Sequence, residues 1–188
     1  MATLLSMCGR YTLKTPAKDL AQVFGALPFP DMAPRYNVSP SQQVLLVREI
    51  DGAREAALAT WGLLPRFIAD PAKGPKPINA RAETVATAPA FRKAFVERRC
   101  LVPVDGFFEW EKVGKEKRPY MIAMLDRRPF TLAGLWENWK DPETGEWVRT
   151  FTIVTTDANE LVAELHDRMP VIIAPEDRER WLKISVVS

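Results

Sequence analysis

Two β-type runs, Gln43–Arg48 and Arg54–Trp61, meet at Asp51-Gly52, and no other stretch constrains the fold as tightly. Asp-Gly suits a two-residue hairpin turn, whose twist matches the strands it joins. A hairpin this apolar must cover a face, so it needs a sheet around it. Further runs of β-branched and aromatic residues supply one: Cys8–Leu13, 100–104, Gly106–Lys112, Tyr120–Leu125, Phe130–Trp136, Val148–Thr155 and Val171–Ile173. The stretches 100–104 and 106–112 read as a strand pair, and Gly114–Arg118 as a charged turn. Hairpins outnumber strand–helix–strand units, which predicts an α+β single domain with a mainly antiparallel, curled or barrel-like sheet and flanking short helices.

The helices are few. Thr15 as N-cap and Pro16 at the first helical position open one that Gly25 closes, with Leu20, Val23 and Phe24 as its apolar stripe. Pro89–Arg99 predicts a second, with Phe91 and Phe95 on one face. Asp157 and Glu160 have capping-box spacing and open a third through Leu165; Pro175 starts a fourth that runs through Trp181. Sixteen prolines fall mostly in connections. Pro28–Pro40 is a proline-punctuated loop, and a chain so restricted loses little entropy in fixing side chains. Gly62–Ile78 is a long irregular segment, the kind that often serves function.

Composition narrows the class of activity. A chain of 188 residues carries one core comfortably. The balance of 26 Lys+Arg against 24 Asp+Glu is nearly even, but residues 66–118 hold 12 cations and 7 anions, a local excess that points to a basic patch. No apolar run is long enough to span a bilayer. One histidine and two cysteines without a Cys-x-x-Cys pair argue against a zinc site, and no metal or cofactor is expected. Few cysteines make a cytoplasmic location the default.

Six groups of residues could carry chemistry. Glu109 lies within Phe107-Phe108-Glu109-Trp110, where aromatic neighbours would desolvate a carboxylate and raise its pKa toward proton-transfer range; a solvated or arginine-paired glutamate is the plain alternative. His166, in His166-Asp167-Arg168-Met169-Pro170, sits in a polar cluster at a helix end, a poor place for mere packing. Asn79 and Arg81, two apart, share a face if extended. Arg10, Arg35, Arg81 and Arg168 would suit phosphate oxygens, or are ordinary solvated cations. Trp61, Phe67 and Trp110 could stack on unpaired bases, or pack in the core. Cys100 fits a buried thiol, and so does Cys8 on composition alone.

Six motifs occur in order: Met-Cys-Gly-Arg-Tyr from 7, Tyr-Asn-Val-Ser-Pro from 36, Trp-Gly-Leu-Leu-Pro from 61, Ile-Asn-Ala-Arg-Ala-Glu-Thr from 78, Arg-Cys-Leu-Val-Pro-Val-Asp-Gly-Phe-Phe-Glu-Trp from 99 and His-Asp-Arg-Met-Pro-Val from 166. Together they resemble the SOS-response-associated peptidase (SRAP) family of abasic-site-processing proteins, from Met7 to about Trp181. The resemblance implies that Cys8, as an N-terminal residue, forms a thiazolidine with the ring-opened sugar of an abasic site in single-stranded DNA. It implies that Asn79 positions amine and sugar, Glu109 shuttles protons and His166 assists ring opening. Arg10, Arg81 and Arg168 would hold phosphates; Trp110 and Pro40 would shape the pocket, and Phe67 stands where relatives often carry tryptophan. The implied protein is a monomer in the cytoplasm, associated with the nucleoid when acting on DNA. Residues 1–7 are expected to be removed or to reflect a mis-assigned start, leaving 8–188 as the domain, either whole or truncated at its C-terminus. A cysteine (auto)peptidase using Cys8 and His166 and a non-covalent single-strand-binding module are the competing functions.

Overall fold

A computed structural model describes residues 9–25, 29–72 and 74–183. Cys8 and the segment before it lie outside these residues. The chain runs β1 (Tyr11–Leu13), α1 (Ala17–Phe24), β2 (Arg35–Val38), β3 (Gln43–Ile50), β4 (Ala53–Trp61), β5 (Asn79–Arg81), α2 (Arg92–Glu97), β6 (Arg99–Val104) and β7 (Gly106–Val113). It continues through β8 (Glu116–Ile122), β9 (Phe130–Lys140), β10 (Trp147–Asp157), α3 (Glu160–Ala163), β11 (Arg168–Pro170), β12 (Ile172–Ile173) and α4 (Arg178–Leu182), the last preceded by a 3-10 turn at Pro175–Asp177.

The strands form two sheets. In the larger, β10, β4, β3, β6 and β9 pair in sequence, and β9 pairs back with β10, closing a five-stranded barrel. Closure removes the barrel's exposed edges. The β3–β4 hairpin turns at Asp51 (φ 51°) and Gly52 (φ 80°), both left-handed as an Asp-Gly turn requires. Close packing inside the barrel leaves no room for a side chain at Gly134: an added Cβ would stand 2.8 Å from the Cys100 sulfur. The smaller sheet, in the order β2-β1-β7-β8, lies against this core through Tyr11, whose ring centroid is 5.3 Å from that of Trp61.

Several local expectations change for physical reasons. The stretches at 100–104 and 106–112 do not pair with one another. β6 pairs with β3 and β9 in the barrel, while β7 pairs with β1 and β8 in the other sheet. Asp105, buried between them, fixes the crossing: its carboxylate accepts the backbone N–H of Lys14 (2.5 Å) and Thr15 (2.9 Å) and the Thr15 hydroxyl. Thr15 is therefore not the cap of α1, which starts after Pro16 with no side-chain cap. Gly25 does end α1, at φ 60°. The predicted helix over 89–99 shortens to α2, because Arg98 leaves helical geometry and the chain enters β6. The third helix is capped by Asn159, which accepts the Val162 N–H at 3.0 Å, and not by Asp157. Part of the proline-rich loop is the edge strand β2.

Candidate functional site

Most of the expected site residues fall in two halves, one on each sheet. In the smaller sheet, Tyr11 pairs with Phe107 and Thr12 with Gly106; the Phe108 N–H donates to the Arg10 carbonyl at 2.9 Å. Extending that register sets Gly9 opposite Glu109. Glu109 is only 1% exposed and shares the inward face of β7 with Phe107. Burial this deep is uncommon for a carboxylate, because leaving water is costly for a charged group. Trp110 is half-buried on the opposite face, and Arg10 donates to the Asn37 side chain on β2 at 3.0 Å.

The other half gathers at the C-terminal end of β10. Thr155 has β5 on one side, paired through Arg81, and β11 on the other, paired through Pro170. Asn79 is paired with Ile153 and half-buried; Arg81, two residues on, is exposed. The indole of Trp61 donates to the Ile78 carbonyl at 2.9 Å, so the tryptophan that packs on Tyr11 also holds the start of β5. The Tyr11–Trp61–Ile78 chain of contacts thus joins the two halves.

His166 follows α3 and is mostly covered, its side chain 19% exposed. Its Nδ1 lies 3.1 Å from the Arg168 N–H and 2.9 Å from a carboxylate oxygen of Asp167. One nitrogen cannot accept from the first while donating to the second. The backbone amide is fixed, whereas the Asp167 side chain is 86% exposed and free to swing. We therefore assign Nδ1 as the acceptor, which leaves the proton of the neutral ring on Nε2.

Arg168 departs from the expectation of an open phosphate ligand. It is 4% exposed, and its guanidinium forks onto both oxygens of Glu83 (2.7 and 2.9 Å), reaches Asp157 (2.5 Å) and donates to the Thr155 carbonyl (2.9 Å). A phosphate would have to displace a carboxylate already in place. In this geometry Arg168 clamps β5, β10 and β11 together, and it holds the Glu83 carboxyl down to about 2. Glu83 lies inside one of the quoted motifs, yet nothing in its spacing showed this partner 85 residues away.

The remaining expected residues are on loops. Pro40 is half-buried in a turn that the Ser41 N–H ties to the Trp61 carbonyl at 2.8 Å. Phe67 is 66% exposed on the 62–78 segment, which is anchored beside it by the Trp139 indole donating to the Ile68 carbonyl at 2.7 Å. Among the described residues no His, Cys, Asp and Glu cluster could hold a metal ion, and no helix is long and apolar enough to cross a membrane.

Comparison with known proteins gives this arrangement a family. Residues 7–187 match the family described as SOS response associated peptidase (SRAP). The abasic site processing protein YoqW of Bacillus subtilis is 42% identical over 180 residues, covering 94% of this chain and 80% of that protein. The abasic site processing protein YedK of Escherichia coli is 32% identical over 183 residues, covering 94% and 80%. A crystal structure of a Bacteroides thetaiotaomicron protein superposes with a TM-score of 0.88 at 30% identity, covering 96% of this chain and 83% of that one. The chain belongs to the SOS response associated peptidase family.

Proposed function

We propose that this protein processes abasic sites in single-stranded DNA, with Cys8 as the residue that captures the lesion. The supporting observation is the β1–β7 register. It puts Gly9 opposite the buried Glu109, and Cys8 is one peptide unit, ~3.8 Å between Cα atoms, from Gly9. The relatives named above are abasic site processing proteins, which gives the aldehyde its source.

The steps balance as follows. The neutral α-amine of Cys8 adds to the C1′ aldehyde of the ring-opened deoxyribose, giving a carbinolamine. Glu109 supplies the proton with which water leaves and then takes the proton from nitrogen, forming the imine. The Cys8 sulfur then adds to the imine carbon and the nitrogen takes up a proton, closing a thiazolidine; the net products are the adduct and one water. An α-amine pKa of ~7.7–8.0 leaves a useful neutral fraction near pH 7, where a lysine at ~10.4 has almost none. As the ring opens, the C1′–O4′ bond breaks and the C1′ hydroxyl proton passes to the ring oxygen, which the Nε2–H of His166 steadies by a hydrogen bond, and Asn79 orients the amine. Arg10 and Arg81, both more open than Arg168, face the flanking phosphates, while Pro40, Trp110 and Phe67 border the unpaired bases.

This chemistry requires Cys8 to be the first residue, so residues 1–7 are absent from the working protein. The test is to mix the protein with a single strand containing one abasic site, then denature. An adduct that disappears in Cys8→Ala, and when the α-amine is blocked, supports the reading. Retained cross-linking by a protein whose intact mass begins at Ala2 would refute it. Peptide turnover without DNA would instead assign Cys8 and His166 to a peptidase.

A further inference from the structure

The β7–β8 hairpin beyond Trp110 has no part in the chemistry above. Every residue from Lys112 to Met121 is exposed, so the hairpin runs out from the body as an arm. Its register sorts the side chains onto two faces. Phe108 and Met121, Trp110 and Pro119, and Lys112 and Lys117 pair on one; Glu109 and Tyr120, Glu111 and Arg118, and Val113 and Glu116 pair on the other.

Charge is divided between these faces. On the second, the Tyr120 hydroxyl donates to Glu111 at 3.0 Å, and the Arg118 guanidinium is held charged by Tyr120 and Glu111. That face satisfies itself. The first carries Arg10, set opposite Phe108, then Lys112 and Lys117, and no carboxylate among the described residues of β1, β7 and β8. Two lysines directly across a strand pair repel one another and destabilise it. A fold gains nothing from that arrangement, whereas a bound polyanion does. The face also carries Trp110, half-buried with Pro119 beside it on the paired strand, a flat surface for an unpaired base.

We infer that this face is the track of the DNA strand flanking the lesion. Lys112 and Lys117 contact its backbone phosphates and Trp110 stacks at the inner end. Strand residues two apart stand ~7 Å apart, within the reach of one extended nucleotide, so the strand steps outward from Arg10 to Trp110 to the lysine pair. The inference rests on the single-strand reading above, but its test does not depend on the covalent step.

A 20-nucleotide single strand carrying a tetrahydrofuran analogue cannot open to an aldehyde, so anisotropy with it measures binding alone. For Lys112→Gln/Lys117→Gln the slope of log affinity against log salt should fall by ~1.4, since each phosphate contact on a single strand contributes ~0.7. Between 50 and 200 mM salt this removes roughly sevenfold of the wild-type affinity loss. Adduct formation on a trinucleotide centred on a true abasic site should be unchanged, because so short a strand does not reach the arm. An unchanged salt slope overturns the track. An equal change on an undamaged duplex assigns the lysines to duplex DNA and overturns it as well. A reduced slope in a protein that forms no adduct leaves the track standing and refutes the covalent reading.

Discussion

Asp105→Ala should be among the most damaging single substitutions outside the core, and its cost can be worked from the structure. The carboxylate is 6% exposed and accepts two backbone N–H groups and one hydroxyl from Lys14 and Thr15, some 90 residues away. Alanine orphans these donors where water reaches them only partly. At roughly 1–2 kcal/mol per donor the loss is about 3–6 kcal/mol. A chain of this size loses ~2–4 °C of Tm per kcal/mol, so about 4 kcal/mol lowers Tm by roughly 8–16 °C in a thermal melt. Asp105→Asn keeps an acceptor for the two backbone groups and should recover more than half of the difference. The damage should also reach function. Asp105 fixes the crossing from β6 to β7 and ties it to the segment after β1, so it maintains the register between Gly9 and Glu109. Adduct formation by Asp105→Ala, measured well below its Tm, should fall more than that of Asp105→Asn. An alanine variant within 1 kcal/mol of wild type would refute the reasoning, because the donors would then have found other partners at little cost.

Other outcomes are equally concrete. Glu109→Gln keeps shape and hydrogen-bonding capacity while losing the proton it transfers; the adduct rate should fall ~10²–10⁴-fold with an unchanged melting curve, read by single-turnover gel assay. Because the Arg168 guanidinium lowers the Glu83 carboxyl from 4.5 to about 2, the pair contributes stability that is present above pH ~4.5 and lost as pH falls toward 2. Melting curves across that window should therefore show an acid decline that is smaller in Glu83→Gln. Burial pushes the Cys100 thiol far up, so Cys100 should resist iodoacetamide at pH 8 in the native protein and react on unfolding, read by peptide mass spectrometry.

Legibility in the sequence followed the range of the interaction concerned. The Asp51-Gly52 hairpin and the left-handed stop at Gly25 were readable, because a turn or a helix end is decided by residues within a few positions. The strand runs and the α+β class were readable from alternation, and the ordered motifs identified the family. The partnership of segments was not. Nothing in Leu101-Val102-Pro103-Val104 and Gly106-Phe107-Phe108 says that they leave for different sheets; Asp105 sends them there by bonding Lys14 and Thr15. Nothing in the spacing of arginines separates Arg81, exposed at the rim, from Arg168, closed onto Glu83 and Asp157. The sequence by itself determined which local structures form and which chemistry-bearing residues are available. Only the tertiary structure decided which side chains are buried, which charges are already neutralised and which faces stay open. Those depend on atoms brought together from 80 or more positions away, as in the 85 residues between Glu83 and Arg168.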